Sequence, residues 1–570
     1  MNSNNIILKK SQMLHCICAL IFLFITISCN VSKSLNDVPD VSQYRSSISE
    51  RVIVSDSSFT SRNNFLAKNK QGLWELYVEG DPFEIGMQTG SLTRELFNKQ
   101  EHAFLSKINE LVPSKTKQYF LRKVIAWYNR KMYLNIPKEY KVEIYGLSRY
   151  ASMNYDYIAP NYLRVLYFHG AHDIGHAFQD LALVGCTSFA AWGNKTEDGS
   201  LIIGRNFDFY AGDDFAKDKI IAFVNPKVGH KFMSVTWGGM IGVVSGMNEH
   251  GLTVTINAGK SKVPLVAKTP VSILTREILQ YASTIDEAIV IAKKREVFVS
   301  ESLFIGSAID KKAVTIEVSP NNFGVYEVPN SNQLICTNHF QSEAYAQDEN
   351  NIKHIAESHS KYRYERMEEL LQEHEKVTPQ IAVDILRNKE GMQHKPIGYG
   401  NEKALNQLLA HHSIVFKPEE GIVWVSSNPY QLGEYVAYNL KDIFKDTPPK
   451  LSKGTLSKSK FNIEKDVFQY TKAFQDYETY RILKTQIEEA IANKKSIDPS
   501  VLLDLQNANP EYWEAYYIVG EYYYQKKYYK AALNAFEKAN TKEITTIPNK
   551  EKIEFYTKKL KRKLKRKLNL

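Results

Sequence analysis

Cysteine is scarce in this chain of 570 residues: there are five, and three of them (Cys16, Cys18 and Cys29) fall in the first thirty positions. A disulfide framework is therefore excluded as the source of its stability. The apolar run from Met13 to Ser28 is too short for a membrane-crossing helix, which needs ~20 residues. A basic body is also missing. The formal net charge is +10, but eight positive residues sit between Lys558 and Lys567, and Lys9 and Lys10 supply two more, so the remainder is neutral. A near-neutral body excludes a nucleic-acid-binding surface as the main function. With 43% hydrophobic and 12% aromatic residues, the chain is long enough to bury a sizeable core in two or three units.

The N-terminus has a short basic region, an apolar stretch and a small residue before Cys29, the layout of an export signal. Thr26-Ile27-Ser28-Cys29 resembles a bacterial lipoprotein lipobox, in which the cysteine is lipidated and becomes the mature N-terminus. This predicts a signal over 1–29, a lipid anchor on Cys29 and a place in the bacterial cell envelope. Residues 30–70, rich in Ser, Asn, Asp and Lys, read as a flexible tether. Signal removal and acylation would leave Cys186 and Cys336 as the free thiols.

Beyond the tether, Leu73 to Val78 reads as a strand, and Asp81-Pro82 opens a mostly helical stretch to about 170. After Cys186 the pattern changes. Thr187 to Trp192, Leu201 to Phe209, Lys219 to Val224, Phe232 to Trp237 and Leu252 to Asn257 are short β-branched and aromatic runs between turn residues. Helices over about 270–294, further strands to 338, helices to about 388 and a hairpin pairing Ser413–Phe416 with Ile422–Ser426 complete a layered α+β body. Residues 460–570 differ: Tyr516, Gly520, Tyr523, Ala532, Phe536 and Ala539 fit one tetratricopeptide repeat (TPR), so this region reads as an all-α TPR-like unit able to bind a protein partner. A plain helical hairpin docked on the body fits equally well. The tail leucines Leu560, Leu564 and Leu568 make an amphipathic cationic helix, suited to anionic lipid or to a solvated helix end.

Gly185-Cys186-Thr187-Ser188, Asp198-Gly199-Ser200 and Gly204-Arg205-Asn206-Phe207-Asp208-Phe209 carry the chemistry. With Asn248-Glu249-His250-Gly251-Leu252, Asn257, Thr337-Asn338-His339-Phe340, the Ser360 to Arg366 segment and His411-His412-Ser413, they resemble the N-terminal nucleophile (Ntn) hydrolases of the penicillin acyltransferase, C45 peptidase-like family. Choloylglycine hydrolases and acid ceramidase are more distantly similar. The resemblance spans about residues 72 to 440. It implies a four-layer αββα Ntn-hydrolase sandwich, with 71–185 as a propeptide segment and 186–445 as the catalytic core. It also implies self-cleavage between Gly185 and Cys186, a thioester intermediate, no cofactor and no metal, and a small N-acyl amide as substrate for hydrolysis or acyl transfer.

The roles implied by the resemblance suit the residue types. Cys186 is the nucleophile, and its freed α-amine, with a reference pKa of ~7.7–8.0, is the base. Arg205 favours the thiolate and Asp208 bonds the ammonium or the thiol. Asn257 and Asn338 take the oxyanion and amine-orienting positions, and Arg366, with Arg363 as the nearby substitute, supplies a helical arginine close to Cys186. Three alternatives stay open: a Cys186–His339–Asn338 thiol protease, a metal site on His169, His172 and His176, and a non-catalytic envelope scaffold. Cys336 reads as a small buried filler.

Overall fold

β-branched and aromatic runs punctuated by turns pair into two sheets. The computed structural model describes residues 31–45, 47–170, 173, 185–209, 212–260, 266–451 and 453–568. Cys16, Cys18, Cys29, His172 and His176 lie outside them. The strands are β1 Val52–Ser55, β2 Ser58–Ser61, β3 Asn64–Lys68, β4 Trp74–Gly80, β5 Thr187–Ala191, β6 Ile202–Phe207, β7 Ile220–Pro226, β8 Phe232–Thr236 and β9 Ser245–Asn248. After them come β10 Leu252–Ala258, β11 Glu301–Ser307, β12 Lys312–Val318, β13 Phe323–Tyr326, β14 Gln333–Cys336, β15 His412–Lys417, β16 Ile422–Ser426 and β17 Tyr435–Asn439. One sheet has 11 strands in the order β1-β2-β3-β4-β7-β8-β9-β10-β11-β12-β13, and the other has 6 in the order β14-β5-β6-β15-β16-β17. Neighbours are antiparallel except β4 and β7, which run parallel because the helical 82–169 segment and β5–β6 intervene between them.

The layering follows from which side chains are apolar on both faces. Tyr77, Ile221, Phe223 and Met233 of the large sheet meet Ile203, Ile414, Val423 and Val425 of the small one in a shared core. The outer face of the large sheet is covered by the helices Pro82–Leu92, Lys138–Ser148, Asn161–His169, Val271–Tyr281 and Ile285–Lys293. Ser360–Glu373 and Pro379–Leu386 cover the small sheet, through Met367, Leu371, Val383 and Leu386. The result is an α+β body of four layers: helix, sheet, sheet, helix.

The tether expected over 30–70 is corrected. β1, β2 and β3 extend the large sheet from β4, with Phe59, Phe65, Leu66 and Ala67 buried. These strands are 4 or 5 residues long, too short to show sustained alternation, and they hold by pairing with neighbours. β9 and β17 complete the two sheets where the sequence offered no strong pattern.

The C-terminal region is helical. Lys472–Ala492, Pro499–Ala508, Trp513–Gln525, Tyr529–Ala539 and Ile547–Leu568 share one apolar core, which takes in Leu560 from the basic tail. It docks on the segment 398–408 and, beyond it, on Asp213 and Tyr430. The Asn509 amide exchanges two hydrogen bonds with the Tyr399 backbone at 3.1 and 2.7 Å, Tyr477 donates to Leu408 O at 3.2 Å, and Arg481 pairs with Asp213 at 2.5 Å. No helix among the described residues is long and apolar enough to cross a membrane.

Candidate active site

Cys186 sits immediately before β5, at one end of the gap between the sheets, and its side chain is 1% exposed. β5 pairs with β6, placing Ser188 opposite Arg205, and β6 in turn pairs Arg205 with Ile414. From β6 the Arg205 side chain crosses to the large sheet. Its guanidinium donates to Ser245 Oγ at 2.6 Å and to Ile256 O, and Nη2 lies 3.7 Å from Cys186 Sγ. Ser245 also meets His412 Nε2 at 2.9 Å, and His412 meets His411 Nδ1 at 2.9 Å, so a buried polar chain fixes the arginine. Burial holds both imidazoles well below the usual histidine range.

Asp208 follows β6 and is fully buried, yet neither carboxylate oxygen has a hydrogen-bond partner among the described residues. Its backbone carbonyl accepts Gly185 N–H at 3.2 Å, which ties it to the residue before the cysteine. Burial raises its carboxyl to about 7, against the pull of Arg363 and Arg205. The Cys186 thiol behaves likewise: burial pushes it up to about 11, and Arg205 offsets only part of that. The thiol is therefore protonated at neutral pH, although Arg205 lies beside it.

The helical arginine is displaced by one turn from the first expectation. Arg363 Nη1 reaches Gly185 O at 3.0 Å, Cys186 O at 2.7 Å and Thr187 Oγ1 at 2.6 Å, while Nη2 holds Asn338 Oδ1 at 2.5 Å. Arg366 is buried elsewhere, with Glu369 at 2.6 Å and His394 at 3.1 Å. Three residues advance a helix by ~4.5 Å and turn it by ~300°, which takes Arg366 off the face that meets Gly185 and Cys186 and sets it among Glu369, Glu373 and Glu390. Burial lowers Arg363 to about 10.

Asn257, on β10, and Asn338, just after β14, brace the sheets against each other. Asn257 accepts from Ser188 Oγ at 2.8 Å and donates to Cys336 O at 3.0 Å and Thr337 O at 3.2 Å. Asn338 donates from its amide to Ala258 O at 3.0 Å and from its backbone to Ser360 Oγ at 2.8 Å. Both amides are thus committed to backbone carbonyls. Sequence reasoning missed Gln407, which donates to Gly185 O at 3.1 Å. It stands in an Ala404 to Leu409 stretch with no motif, and only the fold brings it to Gly185.

The rival constellations are accounted for differently. His339 Nδ1 contacts Ser360 Oγ at 2.8 Å and Thr337 Oγ1 at 3.1 Å, and burial lowers the ring to about 4. Cys336 is buried between the sheets. His169 uses one nitrogen on Val165 O and the other on Ile241 N–H, so it is a structural histidine. Among the described residues, a group able to hold a metal ion is His230, Glu249 and His250, on turns at the opposite end of β10 from Asn257; there the two rings already meet at 3.1 Å. Beside Asp208, Phe209 stacks on Phe207 and lines an apolar pocket of about 40 Å³ with Phe97, Phe104, Phe168, Phe215 and Trp237.

The resemblance read from the motifs is matched by a family profile: that of the acyl-coenzyme A:6-aminopenicillanic acid acyl-transferases covers residues 194–429. A protein of Archaeoglobus fulgidus described as uncharacterized is 26% identical over 281 residues, 46% of this chain and 46% of that protein. Protein dcd1B of Dictyostelium discoideum is 23% identical over 271 residues, 44% of this chain and 51% of that protein. The chain spans about half the length of the curated relatives it matches. Among solved structures, a Caenorhabditis elegans N-acylethanolamine-hydrolyzing acid amidase ortholog aligns with 19% identity and a TM-score of 0.30, covering 41% of this chain and 93% of that one. A conjugated bile acid hydrolase mutant from Clostridium perfringens aligns with 15% identity and a TM-score of 0.32, covering 47% and 95%.

Proposed function

We propose that this chain is a self-cleaving Ntn-type enzyme that hydrolyses or transfers the acyl group of a linear amide through a thioester on Cys186. The observation that carries the reading is the buried, unpartnered Asp208 carboxyl in the electrostatic field of a buried thiol flanked by Arg205. A carboxyl titrating near neutrality and left without a partner suits proton transfer, whereas a structural aspartate in that place would be paired.

The chemistry runs in two stages. In the uncut chain there is no α-amine at Cys186, and Asp208, whose carboxyl shares no hydrogen bond with Sγ, would take the thiol proton through one intervening water as Sγ attacks the Gly185 carbonyl carbon. The Gly185–Cys186 C–N bond breaks, the proton passes to the departing nitrogen, and a thioester links Gly185 to Sγ. Water then hydrolyses that thioester, releasing the Gly185 carboxyl and restoring the thiol. In the second stage the free α-amine serves as base, Asp208 becomes its counter-ion, and Cys186 attacks the substrate amide. The aromatic pocket at Phe209 would receive an apolar group of that substrate.

The finer assignments belong to the same reading. The sandwich is of the Ntn-hydrolase type, residues 1–29 are a lipoprotein signal, Cys29 anchors the enzyme to the cell envelope, and the C-terminal helices are a TPR-like unit open to a protein partner. Intact mass and N-terminal sequencing of the purified protein test the core claim. Two fragments meeting at Gly185/Cys186 are expected, and Cys186→Ala should yield a single chain. A wild-type protein that stays uncut sinks the proposal.

A further inference from the structure

We infer that Gln407 is the dedicated oxyanion donor of the self-cleavage step, a role that rests on the reading proposed above. The carbonyl that Cys186 would attack is that of Gly185, and its oxygen accepts two hydrogen bonds, from Arg363 Nη1 at 3.0 Å and Gln407 Nε2 at 3.1 Å. Arg363 Nη1 is divided among three acceptors, Gly185 O, Cys186 O and Thr187 Oγ1. The Gln407 amide nitrogen, by contrast, donates to Gly185 O and, among the described residues, to no other acceptor. Gln407 is 1% exposed, so the bond operates away from water, where a donor aimed at developing negative charge acts most strongly.

The segment that carries Gln407 is held on both sides. Asn206 Nδ2 donates to Leu405 O at 2.8 Å, Asn406 N donates to Asn388 O at 2.8 Å, and Leu408 N donates to Asn406 Oδ1 at 3.0 Å. Leu408 is fully buried with φ at 52°, a left-handed conformation that leucine rarely adopts. Such strain persists only where surrounding contacts over-determine it, and it clusters at functional sites. The fit to residue 185 is equally tight: a Cβ there would lie 2.3 Å from Gln407 Nε2 and 2.7 Å from Oε1. Glycine before the cysteine is thus what lets Gln407 reach the carbonyl.

In the step assigned to Gln407, Sγ bonds to the Gly185 carbon while the C=O π electrons move to the oxygen. That oxygen, now negative, is held by the Gln407 N–H and the shared Arg363 N–H until the C–N bond breaks and the carbonyl re-forms. The thiol proton passes by way of Asp208 to the departing nitrogen, and nothing beyond water is consumed.

The test follows the cut in freshly synthesised full-length chain by intact mass, for wild type, Cys186→Ala, Gln407→Leu and Gln407→Glu. Removing one oxyanion donor slows a step of this kind by ~10²–10³-fold, and that slowing is expected in both Gln407 variants. Their uncut chains should melt together with uncut Cys186→Ala, which separates loss of a donor from loss of fold. Adding hydroxylamine, which cleaves thioesters, should leave the two variants slow, because the donor acts before the thioester exists. Cutting at the wild-type rate in either variant, or full rescue by hydroxylamine, overturns the assignment to Gln407 while the self-cleavage reading stands. If instead wild type is not cut at Gly185/Cys186, the underlying reading itself fails.

Discussion

Ionising Asp208 sets a negative charge in a fully buried space where no described group hydrogen-bonds it. Its folded-state pKa, about 7, lies above the ordinary carboxyl value of 3.8. Between those values the folded chain binds more protons than the unfolded one, so the stability due to Asp208 is complete below the lower value and is lost as pH rises through the upper. In the uncut Cys186→Ala background, Asp208→Asn should therefore stabilise the chain at pH 8 by up to roughly 4 kcal/mol, at ~1.36 kcal/mol per pKa unit. The gain should shrink towards pH 4, as read from chemical denaturation at each pH. A second residue-scale expectation concerns the two helical arginines. Arg363→Lys keeps a charge but loses the fork that joins Asn338 to the Gly185 and Cys186 carbonyls. Self-cleavage should slow by ~10²-fold, in the range for a lost transition-state donor. Arg366→Lys, whose fork faces Glu369 and His394, should cut at the wild-type rate in the same intact-mass assay.

At the scale of elements, alternation was legible wherever a strand has turns close on either side. The run Leu252 to Asn257 became β10, and Ile422 to Ser426 became β16 with the same ends. β1 to β3 escaped notice because the information that makes them strands lies in β4, to which β3 pairs, and not in their own residues. The site shows the same division. Cys186, Arg205 and Asp208 are close in sequence around one hairpin, so a local motif announces them. Gln407 arrives from 222 positions away, and the choice between Arg363 and Arg366 depends on which face of the Ser360–Glu373 helix turns towards Gly185 and Cys186. Glycines at helix crossings carry a comparable message that only packing reveals. Gly86, in Pro82–Leu92, faces the Lys138–Ser148 helix so closely that an added Cβ would lie 2.0 Å from Glu143 O. The obstacle is backbone, which cannot swing aside. Gly86→Ala should thus force the two helices apart and cost ~1–3 kcal/mol, measured as a lowered denaturation midpoint with unchanged slope.

At the scale of the molecule, the segment 398–408 joins the helical C-terminus to the two-sheet body by hydrogen bonds at both of its ends. Its start is gripped by Asn509, whose buried amide donates to Tyr399 O and accepts from Tyr399 N–H, and its end by Tyr477 on Leu408 O, one residue from Gln407. A unit tethered only by a linker would fray independently, whereas one that shares backbone hydrogen bonds with the site should open together with it. Asn509→Ala removes both bonds to Tyr399 and leaves a backbone donor and acceptor unmet, at ~1–3 kcal/mol per group. Hydrogen exchange on the uncut Cys186→Ala chain reads the consequence. With coupling, amides of β15, which begins at His412, lose protection along with those of the Trp513–Gln525 helix. Loss confined to the helices would make the C-terminus an independent appendage.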